Sequence, residues 1–223
     1  MKNLLFAALV ASTGMLVSTD ANAVTKASVH SQNEWHDLQV NAVNRFPLHT
    51  NFFAYQTKDA ALKGDKSASA NFISLDGKWK FNWVENADQR PTDFYKTDFN
   101  DTQWKEMAVP GIWEMNGYGD PVYVNTGWAW RGHFKNNPPE VPVKDNHVGT
   151  YRRVIDIPAS WTGRQVIAHF GSVTSNIYLY VNGHYVGYAE DSKVAAEFDI
   201  TPYVRKGKNL ITFQTFRWCD GSY

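Results

Sequence analysis

The sequence predicts an all-β fold, an antiparallel β-sandwich, and three observations carry that expectation. Short runs of alternating polar and apolar residues recur along the chain with turn residues between them. The pair Asn182-Gly183 sits between two β-rich runs, and a type I′ hairpin turn needs positive φ at both of its central residues. No long amphipathic helical stretch alternates with these strands, which argues against a parallel α/β sheet.

At the N-terminus, Met1-Lys2-Asn3 is a short basic start and residues 4–17 (LLFAALVASTGMLV) are mostly apolar. Ala21-Asn22-Ala23 then supplies small residues at both positions a signal peptidase reads. Residues 1–23 therefore have the layout of a secretory signal peptide cleaved after Ala23. The apolar run falls short of the ~20 residues a membrane span needs and is broken by Ser12, Thr13 and Gly14. The expected destination is the bacterial periplasm or the extracellular medium, with no membrane attachment after cleavage. Residues 24–70 are polar and lack a sustained period, with isolated anchors at Trp35, Phe46 and Phe52-Phe53. They read as an extended arm, and the stretch 58–69 (KDAALKGDKSAS) is too short to secure a helix by itself.

Residues 71–223 are expected to form the sandwich. Residues 77–83 (GKWKFNW) alternate polar and aromatic, the period of a half-buried strand. Residues 151–157 (YRRVIDI) and 165–170 (QVIAHF) are further β-type runs, separated by Pro158 and Gly163. The hairpin follows at 177–188, and Phe198 and Ile200 lie near another short strand. Residues 201–205 suggest one helical turn, 206–209 a tight connection, and 210–218 (LITFQTFRW) a last strand. Residues 109–149 form a long irregular region rich in Gly, Pro, Asn and aromatics; loops of this length are usually functional or meet a partner.

Composition narrows the function classes. The 22 Lys+Arg balance 22 Asp+Glu, so the basic excess of a nucleic-acid reader is missing. With 43% hydrophobic residues, 15% of the chain being aromatic, the chain is too apolar for disorder. A lone Cys219 excludes an internal disulfide framework and any multi-cysteine zinc site, and it reads as a buried or edge-strand thiol. The seven histidines form no short-spaced metal pair, and neither a phosphate loop nor a Gly-x-Ser-x-Gly elbow occurs. Carboxylate pairs matter because two suitably spaced carboxyls make a glycosidase. The candidates are Glu190-Asp191, Glu197 with Asp199, and Asp220. Glu190 and Asp191 are strand neighbours and point to opposite faces, while Asp199 and Thr201 suit capping of the following turn. Sugar faces pack on aromatic rings, so Tyr118, Tyr123, Trp128 and Trp130 could form a platform; for Trp128 and Trp130 packing is the equal alternative. Arg131-Gly132-His133 beside them reads as a solvated loop.

Seven segments, in order, resemble the N-terminal domain of the microbial β-galactosidases of glycoside hydrolase family two. They are residues 74–81 (SLDGKWKF), 109–125 (VPGIWEMNGYGDPVYVN), 137–142 (NPPEVP), 149–153 (GTYRR), 181–188 (VNGHYVGY), 197–200 (EFDI) and 217–223 (RWCDGSY). Each is weak alone; the ordered set is specific. The resemblance implies a jelly-roll of the galactose-binding type and retaining hydrolysis of terminal β-D-galactosides. It also implies that the catalytic glutamates sit on a later barrel, with Mg2+ and Na+ as ions of the full-length enzyme. No catalytic residue and no metal ligand is therefore expected in this chain. One functional residue carries over by position: the Asn of the Tyr-x-Asn segment, here Asn125, as a contact to a galactose hydroxyl; a turn asparagine is the local alternative. The chain departs from the pattern at Thr126–Arg131 and at Glu140, both beside that position.

The resulting expectation is the N-terminal portion of an exported β-galactosidase, inactive alone, oligomeric when joined to its later domains. Two competing readings are a stand-alone carbohydrate-binding module and a structural interface domain.

Overall fold

The computed structural model describes residues 31–121, 130, 134–135 and 140–222. The signal peptide, the start of the arm, Tyr123, Asn125, Trp128, Arg131-Gly132-His133 and Tyr223 lie outside the described residues.

Nine strands occur among the described residues: β1 (Ala42–Val43), β2 (Gly77–Val84), β3 (Lys105–Val109), β4 (Val148–Ile157), β5 (Ile167–Phe170), β6 (Asn176–Val181), β7 (His184–Glu190), β8 (Ala196–Asp199) and β9 (Gly207–Phe216). Seven form one sheet in the order β1-β7-β6-β9-β4-β2-β3, and β5 and β8 form a second. Every pairing is antiparallel. The all-β sandwich stands, and the longest α-helix among the described residues, Lys58–Lys63, has six residues. That helix forms where length alone gave little support. Thr57 Oγ1 accepts from the Ala60 N–H, and Gly64 ends it at φ +69°, so caps at both ends compensate for the missing turns.

The centre of the sheet is the β4–β9 pair, matched over ten positions from Val148↔Phe216 to Ile157↔Gly207. β2 pairs beside it and, as its alternation implied, buries Trp79 and Phe81 while Lys78 stays exposed. The hairpin forms at Asn182 (φ +50°) and Gly183 (φ +87°). Val186 is the extra residue of a bulge, since Leu179 faces Gly187 but Tyr180 faces Tyr185.

Three sequence readings shift. β3 was not foreseen, because it is an edge strand in which Met107 is the sole fully buried side chain. The last strand runs Gly207–Phe216 and leaves Trp218 beyond its end. Residues 201–204 form a hydrogen-bonded turn in which the Tyr203 and Val204 N–H groups both donate to the Ile200 carbonyl.

Both faces of the large sheet are covered. One packs against β5 and β8, with Ile177, Leu179, Val181, Ile211 and Phe213 meeting Phe198 and Ala168. The other carries Tyr178, Tyr180, Tyr188 and Phe216 under Trp35, Phe94 and Cys219. The arm spans the two sheets, since Ala42 and Val43 pair with β7 while Arg45 bridges Phe198 of β8. Gly187 permits that crossing: a Cβ there would lie 2.3 Å from the Val43 carbonyl oxygen.

Candidate functional site

β2, β4 and β9 lie side by side and run out at one level, where Val84 pairs with Val148 and Val148 with Phe216. The next residues, Glu85, His147 and Arg217, therefore come together although the sequence scatters them. The Arg217 N–H donates to the His147 carbonyl at 2.8 Å, which extends the ladder by one step. With Trp83, Gly119, Asp120 and Asp145 they line a recess of about 320 Å³.

Asp145 organises one wall. Its Oδ1 lies 2.9 Å from His147 Nε2 and 3.3 Å from Arg217 Nη1. The Arg217 guanidinium also sits 4.4 Å from the centre of the Trp218 ring. Burial and the nearby guanidinium hold His147 below the ordinary histidine value, so its ring is neutral at pH 7. Its Nε2 lies between Asp145 Oδ1 at 2.9 Å and Arg217 Nη1 at 3.4 Å. His147 is 3% exposed, and Nδ1 has no hydrogen-bond partner among the described residues. The Trp83 indole N–H is buried and equally unpartnered. Both rings crowd Gly119: a Cβ there would stand 2.7 Å from His147 Nδ1 and 3.5 Å from Trp83 Cζ2.

The other candidates resolve differently. Glu190 and Asp191 diverge as expected; Asp191 (φ +95°) is exposed and accepts from the Lys193 and Val194 N–H groups. Glu190 instead meets Asp220, a pairing the sequence did not indicate. Burial pushes the Glu190 carboxyl up to about 8 and raises Asp220 as well, so Glu190 holds the proton and donates to Asp220. Tyr188 donates to Glu190 Oε1 at 2.5 Å, and Gly221 lies so close that a Cβ would fall 2.4 Å from Oε2. Glu190 is 7% and Asp220 8% exposed. Glu197 lies between two half-exposed histidines, with Oε2 2.7 Å from His49 Nε2 and Oε1 2.8 Å from His169 Nδ1. Asp199 accepts from the Thr201 N–H at 2.9 Å, the capping role expected of it.

Of the proposed aromatic platform, Trp130 is 1% exposed and packs against Trp218, and Tyr118 packs on Phe81. Both are packing residues here. Cys219 is buried, and burial pushes its thiol up to about 12, which excludes a ready nucleophile. Among the described residues no group of three or more His, Cys, Asp or Glu side chains is placed to hold a metal ion.

Fold and recess together define a β-sandwich domain with an indole-walled, carboxylate-rich rim at its strand ends. The chain belongs to glycosyl hydrolase family 2: residues 72–223 match the model of that family's sugar binding domain. It is 39% identical over 195 residues to a β-galactosidase of Halalkalibacterium halodurans, covering 87% of this chain and 19% of that protein. A β-galactosidase of Priestia megaterium is 37% identical over 198 residues, covering 88% and 19%. The chain thus spans about a fifth of the length of these relatives. Among solved structures, a glycosyl hydrolase family 2 member from Bacteroides cellulosilyticus aligns with a TM-score of 0.48 at 23% identity, over 66% of this chain and 18% of that one.

Proposed function

We propose that this chain is the N-terminal portion of an exported β-galactosidase that hydrolyses terminal β-D-galactose residues with retention. The observation that carries the reading is the 39% identity to a β-galactosidase across 87% of the chain, together with the family match over residues 72–223. In this reading the sandwich is a jelly-roll of the galactose-binding type. It contributes Asn125 as a hydrogen-bonding contact to the sugar, while the catalytic glutamates and the Mg2+ and Na+ ligands belong to later domains. The full-length enzyme is a homo-oligomer, exported to the periplasm or the medium through residues 1–23.

The test is direct. The purified 223-residue chain is expected to give no turnover of a chromogenic β-galactoside, whereas the longer product of the same reading frame is expected to turn it over. In that longer product, Asn125→Ala should cost about 0.5–1.5 kcal/mol of transition-state binding, read as a lower kcat/KM. N-terminal sequencing of exported material should begin at Val24. Turnover by the 223-residue chain alone would overturn the division of labour.

A further inference from the structure

We propose that Asn100 is an acceptor site for an N-linked glycan, attached once the chain is exported. The site goes beyond the galactosidase reading and shares with it only residues 1–23 as the export signal.

Asn100-Asp101-Thr102 is the one Asn-x-Ser/Thr step in the 223-residue sequence. Asp98 stands two places before Asn100, so the run reads acidic-x-Asn-x-hydroxyl, the form that bacterial oligosaccharyltransferases accept. Asp98, Asn100 and Thr102 are all exposed, while Phe99 and Asp101 between them are partly buried. Asp101 Oδ2 accepts from Arg152 Nε at 2.7 Å, and the Phe99 ring lies 5.3 Å from the same guanidinium. Phe99 also meets the Trp104 ring edge-on. The loop is thus tied to the sandwich through the two residues the motif leaves variable.

The local geometry suits the chemistry. Asn100 Oδ1 accepts from the Thr102 N–H at 3.1 Å and from the Thr102 hydroxyl at 2.7 Å, a closed Asx turn. A backbone N–H can only donate, which fixes that atom as the oxygen. Nδ2, the atom that takes the sugar, has no hydrogen-bond partner among the described residues. In the transfer, Nδ2 attacks the anomeric carbon of an oligosaccharide carried on a polyprenyl pyrophosphate. A C–N bond forms as the C–O bond to pyrophosphate breaks. The amide gives up one proton to an enzyme base, and the polyprenyl pyrophosphate leaves with the bonding pair. Transfer to the emerging chain needs the motif; keeping the glycan needs the exposure that the folded loop provides. A bulky hydrophilic group there displaces no packed side chain. The loop runs on into β3, which pairs on one side alone, so the bulk is added near a free edge of the sheet.

The test expresses the 223-residue chain in a bacterial host supplied with a bacterial oligosaccharyltransferase and its lipid-linked oligosaccharide. One form keeps residues 1–23, and a second carries a leader of proven export in their place. Peptide mass spectrometry of the exported protein is expected to find the glycan on Asn100 with either leader. The glycosylated fraction should vanish in Asn100→Gln, fall about ten-fold in Thr102→Ala and in Asp98→Ala, and persist in Thr102→Ser. An unmodified Asn100 in protein exported by the proven leader would overturn the proposal, as would a glycan that survives Asn100→Gln. Modification behind the proven leader, with the form keeping residues 1–23 left in the cytoplasm, would support the acceptor site and count against the export reading alone. A glycosylated Asn100 in an inactive longer product would likewise support the site and count against the galactosidase reading alone.

Discussion

The two faces of the seven-stranded sheet are both buried, yet they are closed by different chemistry. On β6 the alternation places Ile177, Leu179 and Val181 on one side and Tyr178 and Tyr180 on the other. The aliphatic side packs with Ala168 and Phe170 of β5 and Ala196 and Phe198 of β8. The tyrosine side needs a partner for every hydroxyl, and those partners hold distant chain in place. Tyr178 Oη accepts from the Trp35 N–H at 2.9 Å, and Tyr180 Oη accepts from Gln32 Nε2 at 2.8 Å, which docks the arm. Tyr188 donates to Glu190, whose carboxyl meets Asp220 and so holds the segment that follows β9. One face supplies bulk stability; the other joins the arm and the C-terminal segment to the sheet and carries the buried carboxyl of Glu190.

Four measurements break or sharpen that contrast. The largest effect is expected on the aliphatic face: Phe198→Ala, at 0% exposure, should cost about 3–5 kcal/mol in urea unfolding, by the same amount at pH 5 and pH 8. Next, Gly187→Ala should cost about 1–3 kcal/mol, since its Cβ meets the Val43 backbone and the Phe198 ring and would push the arm from β7. A milder loss, about 1–2 kcal/mol, is expected for Tyr188→Phe, which removes a donor from a buried carboxyl. Unlike Phe198→Ala, this loss should change with pH.

The fourth isolates the titration. Glu190 has a folded-state value of about 8 against an ordinary value of 4.5, so its protonated form favours the folded chain. The stabilisation it brings is complete below about 4.5 and is lost as pH rises towards 8. Asp220 is shifted in the same direction and adds the same sign. Glu190→Gln, which keeps the shape and the donor, should flatten the fall in stability between these pH values while changing stability at pH 5 by less than about 1 kcal/mol. A variant that keeps the full slope would show that this pair does not carry the pH dependence of the tyrosine face.

Much of the scaffold was legible in sequence because its signals are local. Trp79 and Phe81 alternate with lysines, Asn182-Gly183 can make one kind of turn with little strain, and both features act over a few residues. The edge strands were not legible. Lys105–Val109 pairs on one side alone and buries little, and Ala42–Val43 is a strand only because β7 lies beside it. The recess was equally hidden, since Trp83, Asp120, His147 and Arg217 come from four separate stretches of chain. Family resemblance pointed to Asn125, which lies outside the described residues, and gave no hint of His147 or Trp83. The signal missed was the register itself: Val84, Val148 and Phe216 end level, so the residues after them must meet.

The amino-acid order alone determined the all-β class, the period of β2, the hairpin and the family resemblance, because each depends on neighbours a few positions apart. Tertiary structure decided which carboxyls meet, which aromatics are mere packing, and where a rim opens. Those outcomes depend on how strands far apart in the chain are aligned, and on what burial does to a proton once they are.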